Sequence, residues 1–191
     1  MLLKSTAGSD PRVTATPGTF NATGAPDGWA DIVVVAQAWH WCPDHETAVA
    51  ELARVLKPDG IACFIWNLED RETAHWVARL RDLFEKYEEG SPQFRLGLWR
   101  ATFDAASYGK NFEKEQELTF PWAVETTKDG VVERVRSKSY IAVLPEDLKS
   151  KLTGDILRML DEEPKSWVDE QQGVFKYPYT TTLVVMPKKV A

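Results

Sequence analysis

Residues 31–67, DIVVVAQAWHWCPDHETAVAELARVLKPDGIACFIWN, read as a strand, a ring-rich loop, a helix, a turn and a second strand, and this succession decides the fold. Asp31 leads into Ile32–Val35, a short β-branched apolar run. With no polar residue on either face, it reads as a buried strand of a parallel sheet. Ala36-Gln37-Ala38-Trp39-His40-Trp41 breaks the pattern. Pro43-Asp44 then opens a helix with Asp44 as its N-cap, and Ala48, Val49, Leu52, Val55 and Leu56 recur at helical spacing. Lys57-Pro58-Asp59-Gly60 ends that helix, and Ile61–Trp66 is a second apolar strand. The whole is one βαβ unit, for which a right-handed crossover is expected.

On the C-terminal side the pattern predicts a helix over Thr73–Tyr87, with Trp76, Val77, Leu80, Leu83 and Phe84 on one face and Asp70 or Thr73 as cap. A short helix is expected within Phe94–Tyr108, a strand over Glu113–Trp122, and helices over Thr127–Arg136 and Pro145–Glu163. Val174–Met186 closes the chain as a long strand, and its Tyr177-Pro178-Tyr179 interruption favours an edge or bulged position. On the N-terminal side Ser5–Asp27 is rich in Gly, Pro, Ser, Thr and Asn and is the loosest stretch.

The 191 residues, 43% of them hydrophobic, suffice for one globular domain, with 1–28 as a loose segment and 29–191 as its core. A net charge of −6 and a pI near 5.2 provide no basic field, so nucleic acid is not an expected partner. Two cysteines, Cys42 and Cys63, without a signal peptide point to a reducing cytoplasm rather than a disulfide framework. No apolar run approaches the length of a membrane span. Three histidines and two cysteines, far apart and without C-x-x-C, indicate no metal site.

The Asp31–Asn67 wording resembles the middle of class I S-adenosylmethionine (SAM) dependent methyltransferases, in which a strand followed by AQAFHW, a helix, LKPGG and a strand ending in WN recur. Three further segments are similar to later landmarks of the trans-aconitate methyltransferase-like branch. These are Trp99-Arg100 with Phe103, the run Arg134-Val135-Arg136-Ser137-Lys138-Ser139-Tyr140-Ile141, and Tyr177-Pro178-Tyr179-Thr180-Thr181. Each motif is weak alone, but together and in order, from Val13 to Val185, they are specific. The resemblance implies an α/β, Rossmann-like sheet of parallel strands with an antiparallel C-terminal hairpin, and SAM as cofactor. It sets Thr19 and Phe20 beside the adenine, Gln37 and Ala38 under the sulfonium, and Tyr140 toward the substrate.

The family's glycine-rich GxGxG loop and the acidic strand end that holds the ribose have no counterpart, since no G-x-G triplet occurs. Met1-Leu2-Leu3-Lys4 resembles the helix after the family's second strand, and Arg12–Phe20 its third strand and turn. The chain is therefore expected to begin partway through the fold, as a naturally shortened protein, one read from an internal methionine, or a piece of a larger one. A ligand carboxylate buried without partners costs on the order of several kcal/mol, so weak SAM binding by this chain alone is expected.

Ligands of open α/β sheets bind beyond the carboxyl ends of the strands, where Gln37–Trp41 and Trp66-Asn67 fall. His40, between two indoles, is the candidate general base; the alternative is a histidine bonded to a nearby carbonyl. Trp39, Trp41, Trp66, Trp76 and Trp99, with Trp122, are candidate walls of an aromatic pocket, and ordinary core packing is the competing reading. Arg100, with Arg71, Arg134 and Arg136, offers a fork for a substrate carboxylate; surface solvation is the alternative.

These readings give a SAM-dependent methyltransferase-like protein acting on a small molecule, with an incomplete cofactor site. The alternatives are a SAM-independent enzyme or ligand-binding protein using the aromatic pocket, and a non-catalytic partner of another methyltransferase. Without the family's first strand, Ile32–Val35 presents an unpaired edge. Either Arg12–Phe20 pairs with it or a second copy does, and a homodimer is the expected outcome.

Overall fold

The computed structural model describes residues 10–190, so Met1–Lys4 and the expectation attached to it lie outside the described residues. The strands are β1 (Ala30–Ala36), β2 (Leu56–Glu69), β3 (Gln116–Thr126), β4 (Trp167–Asp169) and β5 (Val174–Pro187). The α-helices are α1 (His45–Val55), α2 (His75–Glu85), α3 (Ala106–Asn111), α4 (Lys128–Arg136), α5 (Ser139–Ala142) and α6 (Glu146–Glu162). Short 3₁₀ turns occupy Trp39–Trp41, Phe94–Leu96 and Leu98–Asp104. The strand order is β1-β2-β5-β3, with β4 paired antiparallel to β5, in a mixed, mostly parallel sheet. The described residues divide into two compact units: 10–64, 97–116 and 184–190 form the first, and 65–96 with 117–183 form the second.

In the first unit α1 forms where Asp44 caps it, accepting a 3.2 Å bond from the Thr47 N–H, and its buried face carries Ala48, Val49, Leu52 and Val55. The other end is closed by Lys188, whose Nζ donates to the carbonyls of Ala53 and Leu56 at 2.6 and 2.7 Å. Lys57-Pro58-Asp59-Gly60 is not a turn between helix and strand, as the sequence suggested, but the beginning of β2. Gly60 is needed there because a Cβ would meet the Asp31 and Ala30 carbonyl oxygens at 3.1 and 3.2 Å. Part of the segment expected to be loose is anchored: Glu51 accepts from the Thr23 N–H (2.8 Å) and hydroxyl (2.6 Å), and Arg54 donates to Ala25 O at 2.8 Å.

β1 departs from its expected burial. Ile32 and Val34 are each 59% exposed, whereas Val33 and Val35 are half-buried. Side chains alternate across a strand, and among the described residues β1 pairs only with β2 and lies at the end of the sheet. Arg12–Phe20 does not join it, since its one bridge is the local Thr19–Ala22 contact.

In the second unit α2, α4, α6 and β5 enclose a core containing Trp76, Leu80, Phe84, Val135, Ile156 and Phe175. Thr127 caps α4 through Gly130 N–H, but α2 begins after Ala74, without a side-chain cap. Asp70 instead closes the preceding turn by accepting from the Glu72 and Thr73 N–H groups. Pro178 does not set β5 at an edge, because β5 lies between β2 and β3 and the Pro178 carbonyl accepts from Asp70 N–H at 3.0 Å.

Candidate functional site

At the carboxyl end of β1 the first unit holds a cleft of about 430 Å³ lined by Thr19, Phe20, Val33, Val35, Trp39 and Leu52, together with Gly18 and Thr23. Gly18 permits the turn to close there, since a Cβ would meet Thr23 O at 2.8 Å. Trp39 organises one wall. Its ring is stacked on Phe64 at 4.2 Å and meets Phe20 edge-on at 5.5 Å. Its Nε1 donates to Thr102 Oγ1 at 2.7 Å, and Thr102 in turn donates to the Trp99 carbonyl at 2.6 Å. Gln37, the residue after β1, has φ +54°, a left-handed conformation that a non-glycine residue adopts at a cost and that recurs at functional sites.

Of the residues singled out from sequence, Thr19, Phe20, Gln37, Ala38, Trp39, His40, Trp41, Trp99 and Arg100 belong to this unit. Thr19, Phe20 and Trp39 meet in the cleft. His40 is half-buried in the 3₁₀ turn with its ring 5.5 Å from that of Trp41, and burial holds its pKa below the usual value, so it is neutral near pH 7. Trp41 is exposed. Trp99 is buried, with the Arg100 guanidinium 4.5 Å above its ring.

Trp66, Asn67, Trp76 and Tyr140 belong to the second unit. Trp66 is buried and stacked on Phe94 at 4.6 Å; Asn67 Oδ1 accepts from the Thr181 hydroxyl at 2.7 Å. Trp76 is packed between Phe175 and Tyr177, at 5.5 and 4.9 Å, inside the core. Tyr140 is half-buried, and burial and the neighbouring Glu88 push its hydroxyl pKa up.

Sequence reasoning missed Glu69. Only 1% exposed at the end of β2, it accepts from Lys138 Nζ at 2.8 Å and faces Arg134 Nη2 at 3.5 Å. Burial pushes its carboxyl pKa up, but Lys138 and Arg134 more than offset this, and the group stays ionised. No local motif marks it; a lone glutamate closing an apolar strand was the available signal.

The cleft is lined largely by apolar and aromatic side chains, and among the described residues its lining contains no acidic and no basic side chain.

The family model described as a methyltransferase domain matches residues 2–64. The chain is 30% identical over 146 residues to an uncharacterized methyltransferase-like protein of Schizosaccharomyces pombe, covering 76% of this chain and 55% of that one. It is 29% identical over 174 residues to an uncharacterized methyltransferase of Mycobacterium tuberculosis, covering 91% and 65%. The chain thus spans 55% to 65% of the length of these relatives. Among solved structures, the YcgJ protein of Bacillus subtilis shares the fold with TM-score 0.51 and 19% identity, over 100% of this chain and 76% of that one. A protein from Anaeromyxobacter dehalogenans described as a type II methyltransferase does so with TM-score 0.55 and 19% identity, over 94% and 72%. The methyltransferase-domain match and the methyltransferase relatives support a class I SAM-dependent methyltransferase family for this chain, and the shared fold agrees with it.

Proposed function

We propose that this chain takes part in SAM-dependent methylation of a small molecule and carries the adenine-facing portion of the cofactor site but not the whole of it. The observation that supports this reading is the convergence of Thr19, Phe20, Val33, Val35 and Trp39 on one apolar cleft beside the strained Gln37. SAM, when bound, supplies the electrophilic methyl group. The protein's part in such a transfer is alignment and exclusion of water, and neutral His40 is the candidate acceptor of a substrate proton at a ring nitrogen. Titration with 5′-methylthioadenosine, which carries the adenine and ribose without the amino-acid end, tests the cleft. Saturable binding in the millimolar range, lost in Phe20→Ala, is expected; no binding at that concentration contradicts the reading.

The β1 edge supports a self-associating form. Antiparallel pairing of two β1 strands about Val33 sets Ile32 of each copy opposite Val34 of the other, so the apolar row is self-complementary.

A further inference from the structure

Three groups from distant parts of the chain converge inside the second unit: Glu69 at the end of β2, Arg134 and Lys138 on and just after α4, and the Tyr177-Tyr179 pair on β5. The charges do not balance. Glu69 is a single carboxylate against two cations, at 2.8 Å from Lys138 and 3.5 Å from Arg134. The neighbouring Arg81 does not alter this balance, because its Nε pairs with Glu85 at 2.6 Å and its Nη1 donates to the Glu69 carbonyl rather than the carboxylate.

The hydroxyl of Tyr177 adds an independent sign. The residue is 1% exposed, and its oxygen has no hydrogen-bond partner, the only such buried side-chain atom among the described residues. Leaving a buried hydroxyl unpaired is destabilising, and nothing in the packing of Trp76 and Tyr179 around the ring requires it, since a phenylalanine would fill the same space. The groups acting on it are Glu69, the Tyr179 hydroxyl beside it and Arg134, so it faces the same cluster. Burial raises its pKa well above the usual tyrosine value, and it remains a proton donor at every physiological pH. The Tyr179 hydroxyl is the neighbour it faces, but no acceptor stands within hydrogen-bond geometry of it. Arg134 is similarly underused: its contacts to Glu69 and to the Tyr179 hydroxyl are long, at 3.5 and 3.4 Å, and its side chain is 40% exposed.

We propose that Arg134 and the Tyr177 hydroxyl, over a floor formed by Lys138 and Glu69, make a subsite for an oxyanion, a carboxylate or phosphate group of a small ligand. Arg134 is the solvent-facing arm, which gives the anion a charge-assisted bond, and Tyr177 is the inner donor, which fixes its depth. Lys138, pinned by Glu69, contributes field rather than a direct bond. The position beyond the carboxyl end of β2 is where open α/β sheets place ligands. The proposal deepens the methylation reading by giving the substrate's charge, and so rests on it for the ligand's role. Its test needs no cofactor, so anion binding and the cofactor cleft succeed or fail separately.

The experiment is calorimetric titration of the full chain at low ionic strength with succinate and with inorganic phosphate, and with succinamide as the uncharged analogue. Saturable binding of at least one anion and none of the amide is expected, and the better of the two names the oxyanion. Tyr177→Phe should weaken that binding at least tenfold with an unchanged or higher melting temperature, because it deletes only an unpaired hydroxyl. Arg134→Gln should weaken it as much; if that variant does not fold, Tyr177→Phe decides alone. Failure of both anions to bind, equal binding of succinamide, or an anion affinity indifferent to Tyr177→Phe overturns the subsite.

Discussion

The indole N–H of Trp39 is joined to Thr102 by a 2.7 Å hydrogen bond, although the two residues lie on separate turns and both are fully buried. Thr102 passes the chain of donors on to the Trp99 carbonyl. One threonine therefore satisfies two buried polar groups and fixes the indole that walls the cleft.

Thr102→Val keeps the shape but strands both groups. A loss of about 1–3 kcal/mol in unfolding free energy is expected, whereas Thr102→Ser, which keeps the hydroxyl, should retain most of the stability, as read by urea denaturation. Equal stability of the valine variant would show that the bond contributes nothing net.

Trp99 is buried with Phe103 against its edge and Arg100 over its face. Trp99→Ala is accordingly expected to cost about 3–5 kcal/mol of stability, as for other buried rings. A well-folded alanine variant of nearly normal stability that has lost ligand binding would assign the ring to the ligand instead.

The Glu51 carboxyl is held down to about 2, chiefly by Arg54 and with help from the Thr23 hydroxyl and N–H, with burial opposing. Because the folded value lies below that of the unfolded chain, its contribution is complete above about pH 4.5 and is lost as pH falls toward 2. Melting temperature measured between pH 5 and 2 should fall less steeply for Glu51→Gln than for the natural sequence. Parallel curves would place the acid sensitivity elsewhere.

The β1 edge leads to a prediction about assembly. Light scattering at low micromolar concentration should report a dimer, with slow amide exchange at Val33–Val35, and Val34→Lys should return it to monomer. A monomer whose β1 amides exchange rapidly contradicts pairing of this edge by a second copy.

Local signals carried much of this fold. Asp44 before a helical apolar pattern announced a cap that the structure contains, whereas the Thr127 cap was not named from sequence and the cap expected at Asp70 or Thr73 is not one. Signals that depend on distant partners were not legible. Pro58 and Gly60 looked like a turn, but the glycine answers to the β1 backbone lying against it. Ile32 and Val34 looked interior because composition cannot say which strand has a neighbour. The cleft was half legible: Thr19, Phe20 and Trp39 were named from sequence, while Val33, Val35 and Leu52 entered only through packing. Glu69, Arg134 and Tyr177 stand far apart in the chain, and only the folded sheet and α4 bring them into one electrostatic group.

On the proposed reading, the described residues hold the adenine side of a cofactor cleft without groups for the ribose and the amino-acid end. Isothermal titration of the verified 191-residue chain with SAM tests it most directly. The account predicts no saturation across the micromolar range, and a micromolar dissociation constant at one site per chain would contradict it.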